Sequence, residues 1–86
     1  MEKMELIKEI ENAFDGQVKV YSTSKNRIEC DVSTAFNKSE WIDKLAHLNL
    51  VDNSKVIPDS YRCGEYTIIL FYGALSSFAG KLKLNF

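Results

Sequence analysis

Residues 66–72 read Tyr-Thr-Ile-Ile-Leu-Phe-Tyr, a run of seven without a charge. Its β-branched and aromatic side chains predict a strand over residues 65–72. Alternate residues of a strand face opposite sides of its sheet. One set is Tyr66, Ile68, Leu70 and Tyr72; the other is Thr67, Ile69 and Phe71. A small protein has one core, so one set belongs against it and the other needs a second cover. The architecture follows from that requirement.

The flanking strands are plainer. Residues 81–86 alternate strictly, with Leu82, Leu84 and Phe86 pointing in and Lys81, Lys83 and Asn85 pointing out. They predict a last strand after a loop holding Gly73 and Gly80. Upstream, Val18, Val20 and Ser22 alternate with Lys19 and Tyr21, and Ile28, Cys30 and Val32 with Arg27, Glu29 and Asp31. These two runs predict a hairpin. Setting Val20 opposite Cys30 leaves a three-residue turn, Ser24-Lys25-Asn26, with Asn26 left-handed. Lys19 then faces Asp31, and Tyr21 lies beside Glu29. A slip by one residue would bury those charges, so the register is well specified.

Two segments carry helical periodicity. Over residues 2–14, Leu6, Ile7, Ile10 and Phe14 form one stripe, acids crowd the first turn, and Gly16 supplies a left-handed stop. A second helix is predicted from Lys38 to about Leu48, with Asn37 and Glu40 as a capping box and Asn49 ending it. Its expected buried stripe is Trp41, Ile42, Leu45 and Leu48. Between residues 50 and 61 only a brief edge strand at Val56-Ile57 and a turn at Pro58-Asp59-Ser60 are expected. The predicted fold is one α+β domain over residues 1–86, in the order α-β-β-α-(β)-β-β. It is a two-layer sandwich, with two helices on one face of a four- or five-stranded antiparallel sheet.

Composition narrows the function classes. With 11 basic and 12 acidic side chains and no block of one sign, neither a basic nucleic-acid arm nor an acidic mimic of nucleic acid is indicated. The N-terminus mixes acids and bases, unlike a signal peptide, and the apolar-rich run 66–78 is too short to span a bilayer. The expected location is the cytoplasm, with no membrane insertion. Cys30 and Cys63 are too few and too far apart for a metal site or a disulfide framework, and a Cys30–Cys63 bridge is the minority reading.

No pattern of catalytic residues emerges. His47, the sole histidine, stands one helical turn after Asp43, which reads as an exposed i,i+4 pair. Asp52, Asp59 and Glu65 match no calcium-loop or hydrolase spacing, and the glycines are too dispersed to cradle a phosphate. The expectation is a protein without enzymatic activity, cofactor or metal. Single-stranded nucleic-acid binding is the alternative, with Tyr21, Tyr66, Phe71 and Tyr72 stacking on bases and Lys19, Arg27, Lys81 and Lys83 contacting phosphates. Against it, the basic-aromatic signature of the RNA-recognition motif is missing, and Glu29, Asp31 and Glu65 lie near the same sheet.

The cover of the second face separates the remaining readings. The loop 73–79 can fold back with Leu75 and Phe78, or the stretch 50–61 can drape across it with Val51, Val56 and Ile57. If Ile69 and Phe71 are bare, a partner that buries them contributes about 3–5 kcal/mol before association costs. The leading expectation is a small soluble interaction domain: an inhibitor, adaptor or accessory subunit. It binds another protein, or itself as a homodimer, through an apolar sheet face or an edge strand. The expected contact residues are Tyr21, Ile69, Phe71, Leu75 and Phe78, with Lys81 and Lys83 at the rim.

The element order also resembles the small N-terminal domain of the thirty-kilodalton subunit family of respiratory complex I and related membrane-bound hydrogenases. Residues 24–28 (Ser-Lys-Asn-Arg-Ile), residues 64–72 (Gly-Glu followed by the uncharged run) and the Lys-Leu-Lys-Leu of the closing strand carry that likeness. That family's acidic-arginine segment is not in this sequence. The resemblance implies a non-catalytic assembly subunit and assigns no residue a role.

Overall fold

The computed structural model describes residues 1–75. Their elements run α1 (Lys3–Ala13), β1 (Val18–Ser24), β2 (Arg27–Val32), α2 (Lys38–Lys44), a 3-10 turn (Ala46–Leu48), β3 (Val51–Asp52), β4 (Ser60–Cys63) and β5 (Tyr66–Tyr72). The strand expected over residues 81–86, and most of the loop before it, lie outside the described residues. The described residues thus form an α+β fold, with two α-helices and one five-stranded sheet of order β1-β2-β5-β4-β3.

The uncharged run forms β5, and β5 is the central strand. It pairs antiparallel with β4, Ile69 opposite Ser60, and parallel with β2, Ile68 opposite Ile28 and Leu70 opposite Cys30. The sheet is therefore mixed, where an antiparallel one is expected from sequence. The physical reason is the crossover through α2. The chain leaves β2, passes over one face as α2, builds β3 and β4 beyond the centre, and returns between β4 and β2. A strand inserted there and antiparallel to β4 runs parallel to β2. Of the residues of β5, Ile68, Ile69 and Leu70 are buried, while Phe71 and Tyr72 at its end are exposed.

Both helices pack on the face that carries Ile28, Cys30, Val32, Ile68 and Leu70. Leu6 and Ile10 of α1 and Phe14 just after it are buried there, as are Trp41 of α2, Leu45 just after it and Leu48 of the 3-10 turn. Full burial of each such side chain contributes about 1.5–3 kcal/mol. Phe14 and Trp41 stack at 5.5 Å, so the two helices meet through aromatic rings. Lys44 Nζ closes the same junction, donating to the Ala13 carbonyl at 3.1 Å above the Phe14 ring.

Several local expectations change. Val20 does face Cys30, and Lys19 faces Asp31, but β1 bulges between Ser22 and Ser24, and Ser24 pairs directly with Arg27. The turn is then only Lys25-Asn26, and Asn26 is not left-handed; among the described residues, positive φ outside glycine occurs at Asn49 and Asp59. The extra residue in the bulge supplies local twist that a left-handed turn residue would otherwise provide. The second helix ends at Lys44 and tightens into the 3-10 turn, which leaves Ile42 half exposed instead of on the buried stripe. Asn37 does cap it, accepting from the Ser39 N–H, while Glu40 pairs with Lys44 instead of completing a box. The edge strand is Val51–Asp52, not Val56-Ile57, and Val56 is among the most exposed apolar residues. Finally, β4 and β5 form an unforeseen hairpin. Its two-residue connection places Gly64 at φ 60, a conformation a side chain would strain.

Candidate interaction surface

Register fixes which side chains share the sheet face turned away from the helices. One cross-strand row runs Lys19, Asp31, Phe71; the next runs Tyr21, Glu29, Ile69, Ser60; a third runs Arg27, Thr67, Arg62, Val51. Carboxylates occupy two of its three β2 positions, Glu29 and Asp31, and both are paired. Tyr21 Oη donates to Asp31 at 2.9 Å, Thr23 donates to Glu29, and Arg27 Nε meets the same Glu29 carboxylate at 3.2 Å. Burial first, then the bond to Asp31 and its charge, push the Tyr21 phenol up to about 12. Tyr21 and Arg27, two groups assigned to bases and phosphates in the nucleic-acid alternative, are thus engaged by carboxylates.

The two apolar members of this face differ. Ile69 is only 2% exposed, whereas Phe71 is 39% exposed. Ile69 is expected from sequence on the contact surface; the fold buries it, and Ile57, Pro58 and Asp59 of the segment before β4 lie beside it. That segment is held by a compact network. Ser60 Oγ donates to the Ile57 carbonyl at 2.7 Å and accepts from Asn53 Nδ2 at 3.0 Å, and the Ile57 N–H donates to the Asn53 carbonyl. Of the two covers considered from sequence, the stretch 50–61 places Ile57, Pro58 and Asp59 beside Ile69, while most of the loop 73–79 lies outside the described residues.

Phe71 stands beyond that cover. Pairing between β4 and β5 stops at Ser60 and Ile69, with one further bond from the Leu70 N–H to the Asp59 carbonyl at 2.9 Å. Asp59 then turns away at φ 55, while β5 continues to Tyr72. The Thr67 and Gly73 N–H groups point to β2, so strand alternation turns the Tyr72 backbone toward the side that β4 has left. A groove of about 480 Å³ opens there, walled by Ile57, Pro58, Phe71 and Tyr72 and flanked by Arg27 and Asp59. Pro58 and Asp59 belong to neither surface expected from sequence, and Tyr72 only to the nucleic-acid alternative. Their signal in the sequence was the Pro58-Asp59 turn, which marks where a neighbouring strand begins late.

Leu75 lies elsewhere, lining a separate cavity with Gly16, Gln17 and Phe36. It does not join Tyr21 and Phe71. Phe78, Lys81 and Lys83 lie outside the described residues.

Groups with chemical potential are scattered. His47 pairs with Glu9 of α1 at 3.1 Å instead of with Asp43. The i,i+4 relation needs a continuous helix, and α2 stops before His47. Cys30 is buried, and its thiol is pushed far up by burial and then by Asp31 and Glu29. Cys63 is half-buried and donates to the Leu48 carbonyl; neither cysteine is bonded to the other. Among the described residues, no three or more His, Cys, Asp or Glu side chains gather as metal ligands, and no helix is long and apolar enough to cross a membrane.

No family model, curated protein or solved structure matches this chain. The likeness to the complex I subunit family thus gains no support beyond the residues that carry it.

Proposed function

We propose that this chain is a small non-catalytic protein-interaction domain, acting as an inhibitor, adaptor or accessory subunit. One observation carries the reading: β5 outruns β4, leaving Phe71 39% and Tyr72 36% exposed where, among the described residues, no strand pairs with Tyr72 on the β4 side. An unpaired strand segment offers backbone donors and acceptors, and the side chains beside it offer pockets for alternate residues of an added strand. The partner segment is therefore an extended stretch of polypeptide with an apolar residue for the groove between Ile57 and Phe71. Arg27 and Asp59 at its rim select register and steer encounter.

The test is affinity capture from native cells with the parent chain, Phe71→Ser and Val56→Ser, each checked for folding by circular dichroism. Val56 is exposed but outside the groove. A partner retained by Val56→Ser and lost by Phe71→Ser supports the reading. Recovery of no protein that distinguishes the two variants, together with monomeric sedimentation, refutes it.

A further inference from the structure

Strand β1 is one end of the sheet; among the described residues no strand lies beyond it. Bonds on its inner side fix which backbone groups face out. The Asn26 and Val32 carbonyls accept from the Thr67 and Gly73 N–H groups, so Ile28, Cys30 and Val32 serve β5 while Arg27, Glu29 and Asp31 serve β1. Lys19 and Tyr21, opposite Asp31 and Glu29, are therefore the β1 residues bonded to β2. Val18, Val20 and Ser22 turn their N–H and carbonyl groups outward. Among the described residues, none of these groups is hydrogen-bonded.

The open length has a definite end. β1 bulges after Ser22, and Lys3 Nζ donates to the Ser24 carbonyl at 2.7 Å and to Ser22 Oγ at 2.9 Å. Residues Val18 to Ser22 remain, with Val20 at their centre. Native sheets blunt such an edge with proline, inward-pointing charges or a covering loop, and this stretch carries no proline and one charge, on Lys19. Val18, Val20 and Ser22 share the face that the helices cover, yet Val20 is only half-buried although it packs on the core. Lys19 and Tyr21 share the opposite face with Asp31 and Glu29.

A second copy of β1 matches this edge, and charge selects one register. Centred on Val20, the antiparallel pairing sets Val18 opposite the second copy's Ser22 and Val20 opposite its Val20, using the whole open length. Lys19 then lies opposite the second copy's Tyr21. The row across the junction runs Asp31, Lys19, then the second copy's Tyr21 and Glu29, with no like charges adjacent. Centred on Lys19 instead, the pairing sets two ammonium groups directly opposite each other, which is destabilising. Centred on Tyr21, it sets Val18 against Ser24, whose carbonyl Lys3 already holds. We propose that the chain forms a homodimer in which two β1 strands pair antiparallel about a twofold axis at Val20, joining both sheets into one. The axis is normal to the sheet, so both helical layers lie on one side and both Phe71 side chains on the other. β2 separates this edge from β5 and its Phe71 groove, so either assignment can fail alone.

The test is sedimentation of the 86-residue chain from about 10 μM to about 1 mM, with amide hydrogen exchange at both ends of that range. The expected result is a dimer whose fraction rises with concentration. Protection at Val18, Val20 and Ser22 should rise with it, while Lys19 and Tyr21, already bonded to β2, change little. Ser22→Pro removes an outward N–H and no bond to β2. It should weaken the dimer at least about tenfold and keep the monomer fold, checked by circular dichroism. A monomer throughout the range overturns the proposal, as does a dimer without this alternating protection. A dimer unchanged by a folded Ser22→Pro also overturns it. Protection of Val18, Val20 and Ser22 that is independent of concentration overturns it too, and gives the edge to residues 76–86 of the same chain. Should Ser22→Pro fail to fold, the exchange pattern of the parent chain decides alone.

Discussion

Ser60→Ala tests the idea that a buried hydroxyl holds the wall beside Ile69. Ser60 is 1% exposed, and its Oγ donates to Ile57 at 2.7 Å and accepts from Asn53 Nδ2 at 3.0 Å. The Asn53 carbonyl lies at 3.2 Å, so the single hydroxyl proton serves the nearer acceptor. Each bond contributes about 0.5–1.5 kcal/mol net, so Ser60→Ala should destabilise by about 1–3 kcal/mol. For a domain of this size, about 2 kcal/mol corresponds to a fall of roughly 8–16 °C in Tm. Asn53→Ala removes one of the same bonds. The double variant should therefore cost less than the sum, by about 1 kcal/mol. Urea denaturation of the parent, both single variants and the double variant closes the cycle. A change below about 0.5 kcal/mol for Ser60→Ala, or strict additivity, would refute the reasoning.

Three further outcomes follow from local chemistry. Because the Tyr21 pKa is raised from 10.0 to about 12, the folded state holds a proton that the unfolded state gives up. Stability from this group is complete below pH 10 and is lost as pH rises toward 12. Asp31→Asn should move the Tyr21 titration, followed by phenolate absorbance, back toward its ordinary value; no movement would remove Asp31 as a cause. A thiol reagent at neutral pH should spare Cys30 in the native protein and react with it only after unfolding in guanidinium, since burial holds it as the thiol. Native labelling of Cys30, read by mass spectrometry, would contradict its placement. Gly64→Ala meets no atom within 4 Å, so its cost is that of the left-handed backbone alone, about 1–2 kcal/mol. A neutral result in thermal melts would mean that the β4–β5 turn is misplaced.

Legibility varied with how local each cause was. The stripe Leu6, Ile10 and Phe14 lies within one helix and its C-cap, and α1 forms where its periodicity places it. The β1–β2 register was readable because a slip would bury Lys19, Glu29 and Asp31. The short strand β4 was missed because Ser60-Tyr61-Arg62-Cys63 is too brief to show alternation, although Gly64 after it was a hairpin signal. At the candidate interaction surface, Phe71 was nameable from sequence as an apolar residue on a two-sided strand. Ile69 was not separable from it, because both occupy the same alternate set, and only the segment before β4 decides which is covered.

The sequence by itself determined that residues 66–72 form a strand with two uncharged faces, since alternation and β-branching are properties of the local chain. It could not place that strand. Strand order and direction depend on contacts between segments far apart in the chain, and a parallel neighbour leaves no local trace in either partner. The tertiary structure put β5 between β2 and β4, with Ile68 and Leu70 against the helices and Ile69 buried on the other face. It also ended β4 early, and that difference in length leaves Phe71 and Tyr72 open to solvent.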